Sequence, residues 1–313
     1  MTQELHKKYR PTTLDEVEGQ DTAVKAVRKM LDSKRIPHAV VFSGPSGVGK
    51  TTLARIMAGE MGCDPEGPDF SEVNCGAVDA LKAIREIGEG MGMSPMFADQ
   101  RVCLLDETQS LSRARFAQEA LLKMLEEPPA HFYFFLATTE PQKLLKTIRT
   151  RATEVTLKPM RDEHVRSAIL HTLKRARKDL KFAKVTTPVI DKLVELADGS
   201  ARQAIKTLDH IIGYDDEASR LEYIQKADVR EQGIAIARAI FQRKSWREVA
   251  DVIKHCDEEP EAVRRIILAY ASTILLNSGQ SRAHLVIEHF RDHWYDCGKA
   301  GLVSSCYAVC TSK

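Results

Sequence analysis

Residues 44–51 read GPSGVGKT, and no other stretch constrains the chain so tightly. The octapeptide satisfies G-x-x-x-x-G-K-[ST] at every fixed position. It lies between AVVFS (39–43), a short continuous apolar run, and TTLARIMAGEM (51–61), which has helical spacing. A strand, a glycine loop and a helix in that order turn backbone N–H groups inward, and the helix adds its positive end, so the unit binds phosphate oxygens. Lys50 is expected to reach the β- and γ-phosphates of a nucleotide and Thr51 to ligate Mg²⁺. Gly44, Ser46, Gly47, Val48, Gly49 and Thr52 complete the expected cradle.

The flanking sequence repeats the alternation. FSEVN (70–74), RVCLLD (101–106), FYFFLATT (132–139) and TEVTL (153–157) read as further strands. Between them, Val78, Leu81, Ile84 and Ile87 mark one face of a helix, and ARFAQEALLKMLEE (114–127) is an amphipathic helix stopped by Pro128-Pro129. Short apolar strands alternating with helices predict an α/β fold with a five-stranded parallel sheet covered on both faces.

After Pro159 the pattern becomes helical, with helices expected near 162–178, 188–197 and 201–213. Thr187 before Pro188 reads as a helix start, Gly199 as a stop, and Ser200 with Gln203 as a capping box. GYDDEASR (213–220) reads as a linker. Ser245 with Glu248 is another capping box, and Pro260 opens a helix striped with Ile266, Ile267, Tyr270, Ile274 and Leu275. Three domains are expected: 1–160, a helical domain over 161–219, and an all-α domain over 220–313.

RVCLLDE ends a buried strand in Asp106-Glu107 at the sheet's C-terminal edge, where α/β sheets bind ligands. Asp106 is placed to hold Mg²⁺ with Thr51, and Glu107 to orient and deprotonate an attacking water. A carboxylate base here points to hydrolysis of ATP rather than to binding alone. Composition excludes other classes. Hydrophobic residues make up 43% and charged residues 29%, no apolar run is long enough for a membrane, and MTQELHKKYRP has no apolar signal core. The seven scattered cysteines form no CxxC, which suggests a reduced, cytoplasmic setting. A net charge of +2 means that any nucleic-acid surface must be local.

Together these segments resemble the AAA+ motor subunits of sliding-clamp loaders. The resemblance runs through KYRPTTLDEVEGQ (8–20), KRIPHAVVFSGPSGVGKTTLAR, LLDETQSLSRARFAQEALLKMLEEPP, FFLATTEPQKLLKTIRTRA and DGSARQAIKTLD, covering residues 5 to about 212. It is closest to bacterial tau/gamma-type subunits and is also similar to replication factor C small subunits and phage loader subunits. The last hundred residues match only in helical character.

The resemblance implies an AAA+ P-loop domain, a three-helix lid and a helical collar, in a pentamer of copies of this chain with a distinct loader subunit. It places Tyr9, Arg10, Val17 and Gly19 around the adenine. Thr139, or the adjacent Thr138, corresponds to the sensor 1 position. Arg202, at the second position of a capped helix, corresponds to sensor 2. Arg151, in Thr150-Arg151-Ala152 where the family usually has Ser-Arg-Cys, corresponds to the arginine that enters a neighbouring subunit's ATP site; Arg149 is the basic residue beside it. Bacterial tau/gamma subunits carry a four-cysteine zinc module, but the interval MGCDPEGPDFSEVNCG offers only Cys63 and Cys75, so no zinc is expected.

Loaders of this family track the backbone of primer–template DNA. Ser112 is expected to cap the helix RARFAQEALL and to place Arg113 and Arg115 in its first turn, where basic residues oppose the helix dipole unless an anion is near. Lys82 and Arg85 are similar candidates, and Gln118 matches a position proposed to relay DNA contact to Glu107. The stretch GEGMGMSPMFADQR (88–101) holds Met91, Met93, Met96 and Phe97 among three glycines and a proline. These side chains either cap the core beneath the sheet or plug a pocket on the clamp, the role that the resemblance favours. Two other classes fit the sequence less well. A branch-migration motor or helicase loader would typically carry a winged helix or pore loop, for which no signal is present. A non-catalytic structural subunit would not need Lys50, Asp106, Glu107 and Arg151 together.

Overall fold

The computed structural model describes residues 4–312 except 78, 177–184, 257–258, 293 and 295–296, and leaves the side chains at 115 and 228–230 undescribed. Two compact units divide between Gly213 and Tyr214, so the boundary expected near 220 falls inside a helix, Glu217–Phe241.

In the first unit, in chain order, come α1 (Leu5–Lys8), α2 (Asp21–Asp32), β1 (Ala39–Ser43), α3 (Lys50–Glu60), β2 (Phe70–Asn74), α4 (Ala80–Gly90), β3 (Arg101–Asp106), α5 (Arg115–Glu126), β4 (Phe132–Thr138), α6 (Lys146–Arg151) and β5 (Thr153–Thr156). The helices α7 (Asp162–Ala176), α8 (Thr187–Ala197) and α9 (Ala201–Ile211) follow. All strand pairs are parallel, in the order β2-β3-β4-β1-β5.

Alternate strand residues face opposite cores, the period-2 rule of a sheet covered twice. Phe42, Leu104 and Phe135 join Val27 of α2 with Leu53 and Met57 of α3 on one face. Val41, Cys103, Phe134 and Leu136 join Ile84 of α4, Leu121 of α5 and Ile148 of α6 on the other. The parallel arrangement brings the C-terminal ends of β1, β3 and β4 together, and with them the glycine loop, Asp106 and Thr138.

Three local expectations are corrected. Strand β4 stops at Thr138, so Thr139 lies one residue beyond it and is exposed. The helix α5 is capped by Ala114 without a side-chain bond, because Thr108–Arg113 form a 3-10 turn in which Ser112 Oγ donates to the Gln109 carbonyl at 2.8 Å. Ser112 therefore does not cap α5, and Arg113 belongs to the turn. The cap of α8 is Thr186 rather than Thr187, and its C-terminal left-handed residue is Asp198, followed by Gly199. Val78 and the side chain of Arg115 lie outside the described residues. Ser200 caps α9 by accepting from the Gln203 N–H.

The second unit is all helical: α10 (Glu217–Phe241), α11 (Trp246–Lys254), α12 (Pro260–Ser278), α13 (Ser281–Phe290) and α14 (Gly298–Thr311). Ser245 and Glu248 form the full reciprocal capping box on α11. The core runs through Ile240, Val249, Ile267, Phe290 and Leu302. Inside it, Arg264 pairs with Glu261 through Nε and Nη2 (2.8 and 2.6 Å), and its Nη1 donates to the Phe290 and Arg291 carbonyls. A buried charge is tolerable only with such saturation. Among the described residues no helix is long and apolar enough to cross a membrane.

Candidate active site

The glycine loop leaves β1 at Gly44 and enters α3 at Lys50. Gly44 has φ +143°, and a Cβ there would lie 2.3 Å from the Leu157 carbonyl oxygen; Gly47 has φ +76°, and a Cβ there would lie 2.1 Å from Ser200 Oγ. Side chains are therefore excluded twice, by conformation and by close approach. Among the described residues the N–H groups of Ser46, Gly47, Val48 and Gly49 have no protein acceptor. Four donors in one turn, at the start of an eleven-residue helix, make a concentrated anion site.

Lys50 is buried, and its Nζ donates to the carbonyls of Gly44 (2.8 Å) and Pro45 (2.6 Å). Burial lowers its pKa to about 8; Asp106 and Glu107 raise it, and Arg202 lowers it further. Thr51 Oγ1 donates to Asp106 Oδ2 at 2.9 Å, and the Glu107 N–H donates to Asp106 Oδ1 at 2.8 Å. A hydroxyl and a carboxylate oxygen side by side are the hard oxygen donors that suit Mg²⁺.

Glu107 is left-handed (φ +54°), a costly state for a non-glycine residue. Its Oε2 lies 2.4 Å from where a Cβ on Gly76 would stand, so Gly76 makes the room the carboxylate occupies. Behind it, Gln109 Oε1 accepts from Thr138 Oγ1 (3.1 Å) and from the Thr139 N–H (3.3 Å). Thr138 is buried in this network while Thr139 contributes its backbone.

A cavity with about 890 Å³ of empty volume, open to solvent at its mouth, adjoins the loop. Tyr9, Arg10, Val17, Gly47, Val48, Gly49, Thr52 and Arg202, all candidates named from the sequence, line it. Ala168, His171, Thr172 and Arg175 of α7, with Ile205 of α9, form the wall that sequence reasoning missed. Gly19 is not on the cavity; it packs against His164 of α7, where a Cβ would meet the ring at 2.9 Å. The buried Gln20 beside it donates to the Val48 and Lys158 carbonyls and accepts from the Lys158 N–H, locking the N-terminal segment to the loop. The Arg202 N–H donates to the Gly47 carbonyl at 3.4 Å, so α9 touches the glycine loop directly. Burial lowers the pKa of Arg10, and Arg55 and Arg202 nearby lower it further.

The remaining candidates lie apart from this cavity. Arg151 ends α6 and is held by Glu126 Oε1 (2.9 Å) and the Thr147 carbonyl, at the surface; Arg149 is exposed. Lys82 and Arg85 are exposed on α4, Lys82 paired loosely with Glu86 at 3.8 Å, and Arg113 is exposed. Gln118 is buried and does not face Glu107: it donates to the Lys143 carbonyl and accepts from the Leu145 N–H, tying α5 to the turn before α6. Met91 packs against the sheet core, whereas Met93, Met96 and Phe97 are 62%, 72% and 84% exposed. The core-capping alternative thus holds for Met91 alone. Cys63 and Cys75 are buried, the Cys75 thiol pushed up by burial to about 12, and among the described residues no cluster of three His, Cys, Asp or Glu side chains could hold a metal ion.

The sheet order, the glycine loop, the Thr51–Asp106 pair and the helical wall over the cavity define a P-loop protein of the AAA+ fold. Its relatives narrow this. Residues 78–161 match the family described as "DNA polymerase III, delta subunit". The chain is 34% identical over 225 residues to the DNA polymerase III subunit gamma of Buchnera aphidicola, covering 66% of this chain and 60% of that protein. It is 34% identical over 233 residues to the subunit tau of Salmonella typhimurium, covering 68% of this chain and 35% of that protein. It is, then, a relative of the DNA polymerase III tau/gamma subunits; the match spans between a third and three fifths of the length of these relatives. The fold is also that of the Thermotoga maritima RuvB Holliday junction branch migration motor, with TM-score 0.57 and 18% identity over 78% of this chain and 84% of that one.

Proposed function

We propose that this chain is the ATP-hydrolysing subunit of a clamp loader, which places a sliding clamp on primer–template DNA in the cytoplasm of a bacterial or phage-infected cell. The observation that carries the reading is the Thr51–Asp106 pair beneath a loop of open N–H donors, with Glu107 alongside, in a chain related to tau/gamma subunits.

Lys50 exchanges its two loop carbonyls for β- and γ-phosphate oxygens, a stronger charge-assisted pairing. Thr51 and Asp106 would hold Mg²⁺, which would supply neutralising charge to the phosphates. Glu107 takes the proton of the attacking water, and the Gln109-supported Thr138–Thr139 corner orients that water. Tyr9, Arg10 and Val17, facing the α7 wall, enclose the base. Arg202 reports the γ-phosphate to the lid, residues 161–219.

Arg151 leaves Glu126, a surface pair contributing at most about 1 kcal/mol, to enter the ATP site of the next copy. Residues 220–313 form the collar of a pentamer that includes a distinct subunit. Lys82, Arg85, Arg113 and Arg115 follow DNA phosphates without reading sequence, and Met93, Met96 and Phe97 dock on the clamp. The test is ATP hydrolysis by the assembled loader with clamp and primed DNA, each alone and together. Synergy of the two is expected; equal rates with and without clamp would overturn the reading.

A further inference from the structure

Three exposed apolar side chains on a glycine-rich loop should collapse onto the nearest core or sample many conformations. This loop is instead fastened at both ends. Asp69, the buried residue immediately before β2, accepts three successive backbone N–H groups: Met96 at 2.7 Å, Phe97 at 2.7 Å and Ala98 at 3.0 Å. At the other end Arg101 Nη1 donates to the carbonyls of Gly90 (2.8 Å) and Met93 (3.3 Å), and His131 Nε2 lies 3.0 Å from the same Met93 oxygen. The Arg101 guanidinium also sits over the Phe132 ring. Burial raises the Asp69 pKa, and the three N–H bonds with Arg101 outweigh it, so the carboxyl is held below its ordinary value and stays charged. A buried carboxylate without these donors would be costly, so the anchoring is mutual.

We propose that Asp69 is the positioning residue of a preformed docking prong, Met93, Met96 and Phe97, that enters an apolar pocket on the sliding clamp. The inference rests on the clamp-loader reading above. The clamp-loader reading supplies the occupant, and the placement of the prong is compatible with it. Asp69, Arg101 and His131 precede or open β2, β3 and β4, so the prong stands on the N-terminal edge of the sheet. The nucleotide loop stands on the opposite edge. A partner seated on the prong leaves the phosphate edge free. The prong's few large side chains on a fixed backbone suit a pocketed surface, because the ordering entropy of docking is spent in advance.

The test uses the full chain, saturated with ATP, and the purified clamp. Asp69→Asn keeps the side-chain shape but loses the charge and one acceptor oxygen. It is expected to weaken clamp binding about 10-fold and to speed amide hydrogen exchange at 96–98 by a similar factor. The heat-capacity change of docking should be unaltered, because the same apolar surface is buried. Met96→Ala with Phe97→Ala is expected to weaken binding and to shrink that heat-capacity change. ATP affinity should be unchanged in both. Faster exchange with unchanged clamp affinity in Asp69→Asn, while the double variant is defective, would overturn the positioning role and leave the clamp-loader reading intact. A double variant that binds clamp like the parent would overturn the prong. Loss of self-association in place of clamp binding would assign it to a second copy. If Asp69→Asn folds poorly, His131→Ala removes one of the two Met93 anchors at the surface and must give the same pattern on a smaller scale.

Discussion

The two edges of one sheet handle the same backbone groups in opposite ways. At the C-terminal edge, Ser46 to Gly49 keep their N–H groups open, and side chains engage one another: Thr51 with Asp106, and Lys50 with loop carbonyls. At the N-terminal edge, roughly 20 Å away along the six-residue β3, Asp69 takes up the N–H groups of Met96 to Ala98, and the apolar side chains are left exposed. One edge leaves backbone donors open, the other leaves apolar side chains exposed. The difference shows that a loop's chemistry depends on which of its groups the fold has already satisfied.

The largest effect should come from a residue that does not line the cavity. Arg151→Ala in the assembled loader is expected to lower DNA-stimulated turnover by about 10³-fold or more. Binding of a fluorescent ATP analogue should be unchanged, since Arg151 does not line its own chain's cavity. Stimulated phosphate release at the parental rate would sever Arg151 from the site. Next, Glu107→Gln should reduce turnover by about 10² to 10⁴-fold while clamp affinity with ATP bound stays at the parental value. A drop in clamp affinity would break the independence of the two edges.

What could be read beforehand follows the same division. The glycine loop and Asp106-Glu107 are contiguous, and their neighbours in the chain specify strand and helix, so sheet and phosphate site were legible. Contacts that close the site over long separations were not. Gln20 bonds to Lys158, Gln109 to Thr138, and α7 supplies the far wall of the cavity; none carries a local pattern. Ser112 failed as a cap because Glu107, in a left-handed state, starts a 3-10 turn that carries the chain past Ser112 before α5 begins. The methionine stretch could be narrowed to two roles, but the exposure of Met96 and Phe97 goes with the bonds to Asp69, a lone acidic residue 27 positions before Met96 with nothing in the sequence to mark it.

A smaller effect should appear in protons. Lys50 titrates near 8 in the folded chain against 10.5 for an ordinary lysine. Between those values the unfolded chain keeps a proton that the folded chain has released, so stability contributed by this group rises with pH across about 8 to 10.5. Below 8 both forms are charged, and burying the ammonium costs about 3 kcal/mol. Phosphate oxygens reverse the shift, so ATP binding at pH 8 should take up about half a proton. Calorimetry in buffers of different ionisation enthalpy measures this directly. Lys50→Arg, always charged, should take up none; uptake by the arginine variant would place the titrating group elsewhere.

The smallest effect tests whether α9 serves the phosphate edge or only its own fold. Ser200 Oγ caps α9 and also crowds Gly47. Ser200→Ala should lose about 1 kcal/mol of cap, a fall of about 2–4 °C in Tm. Ser200→Gly should lose only a few tenths of a kcal/mol, yet it removes the same crowding atom. If the Ser200–Gly47 contact merely reflects close packing, ATP affinity will track the cap, and the glycine variant will bind like the parent. If the contact sets the distance between Arg202 and the loop, both variants will lose ATP affinity equally despite their different stabilities. Equal loss is the expected outcome, because the Arg202 N–H and the Ser200 hydroxyl approach the same glycine from the first turn of one helix. A rigid α9 therefore moves both or neither.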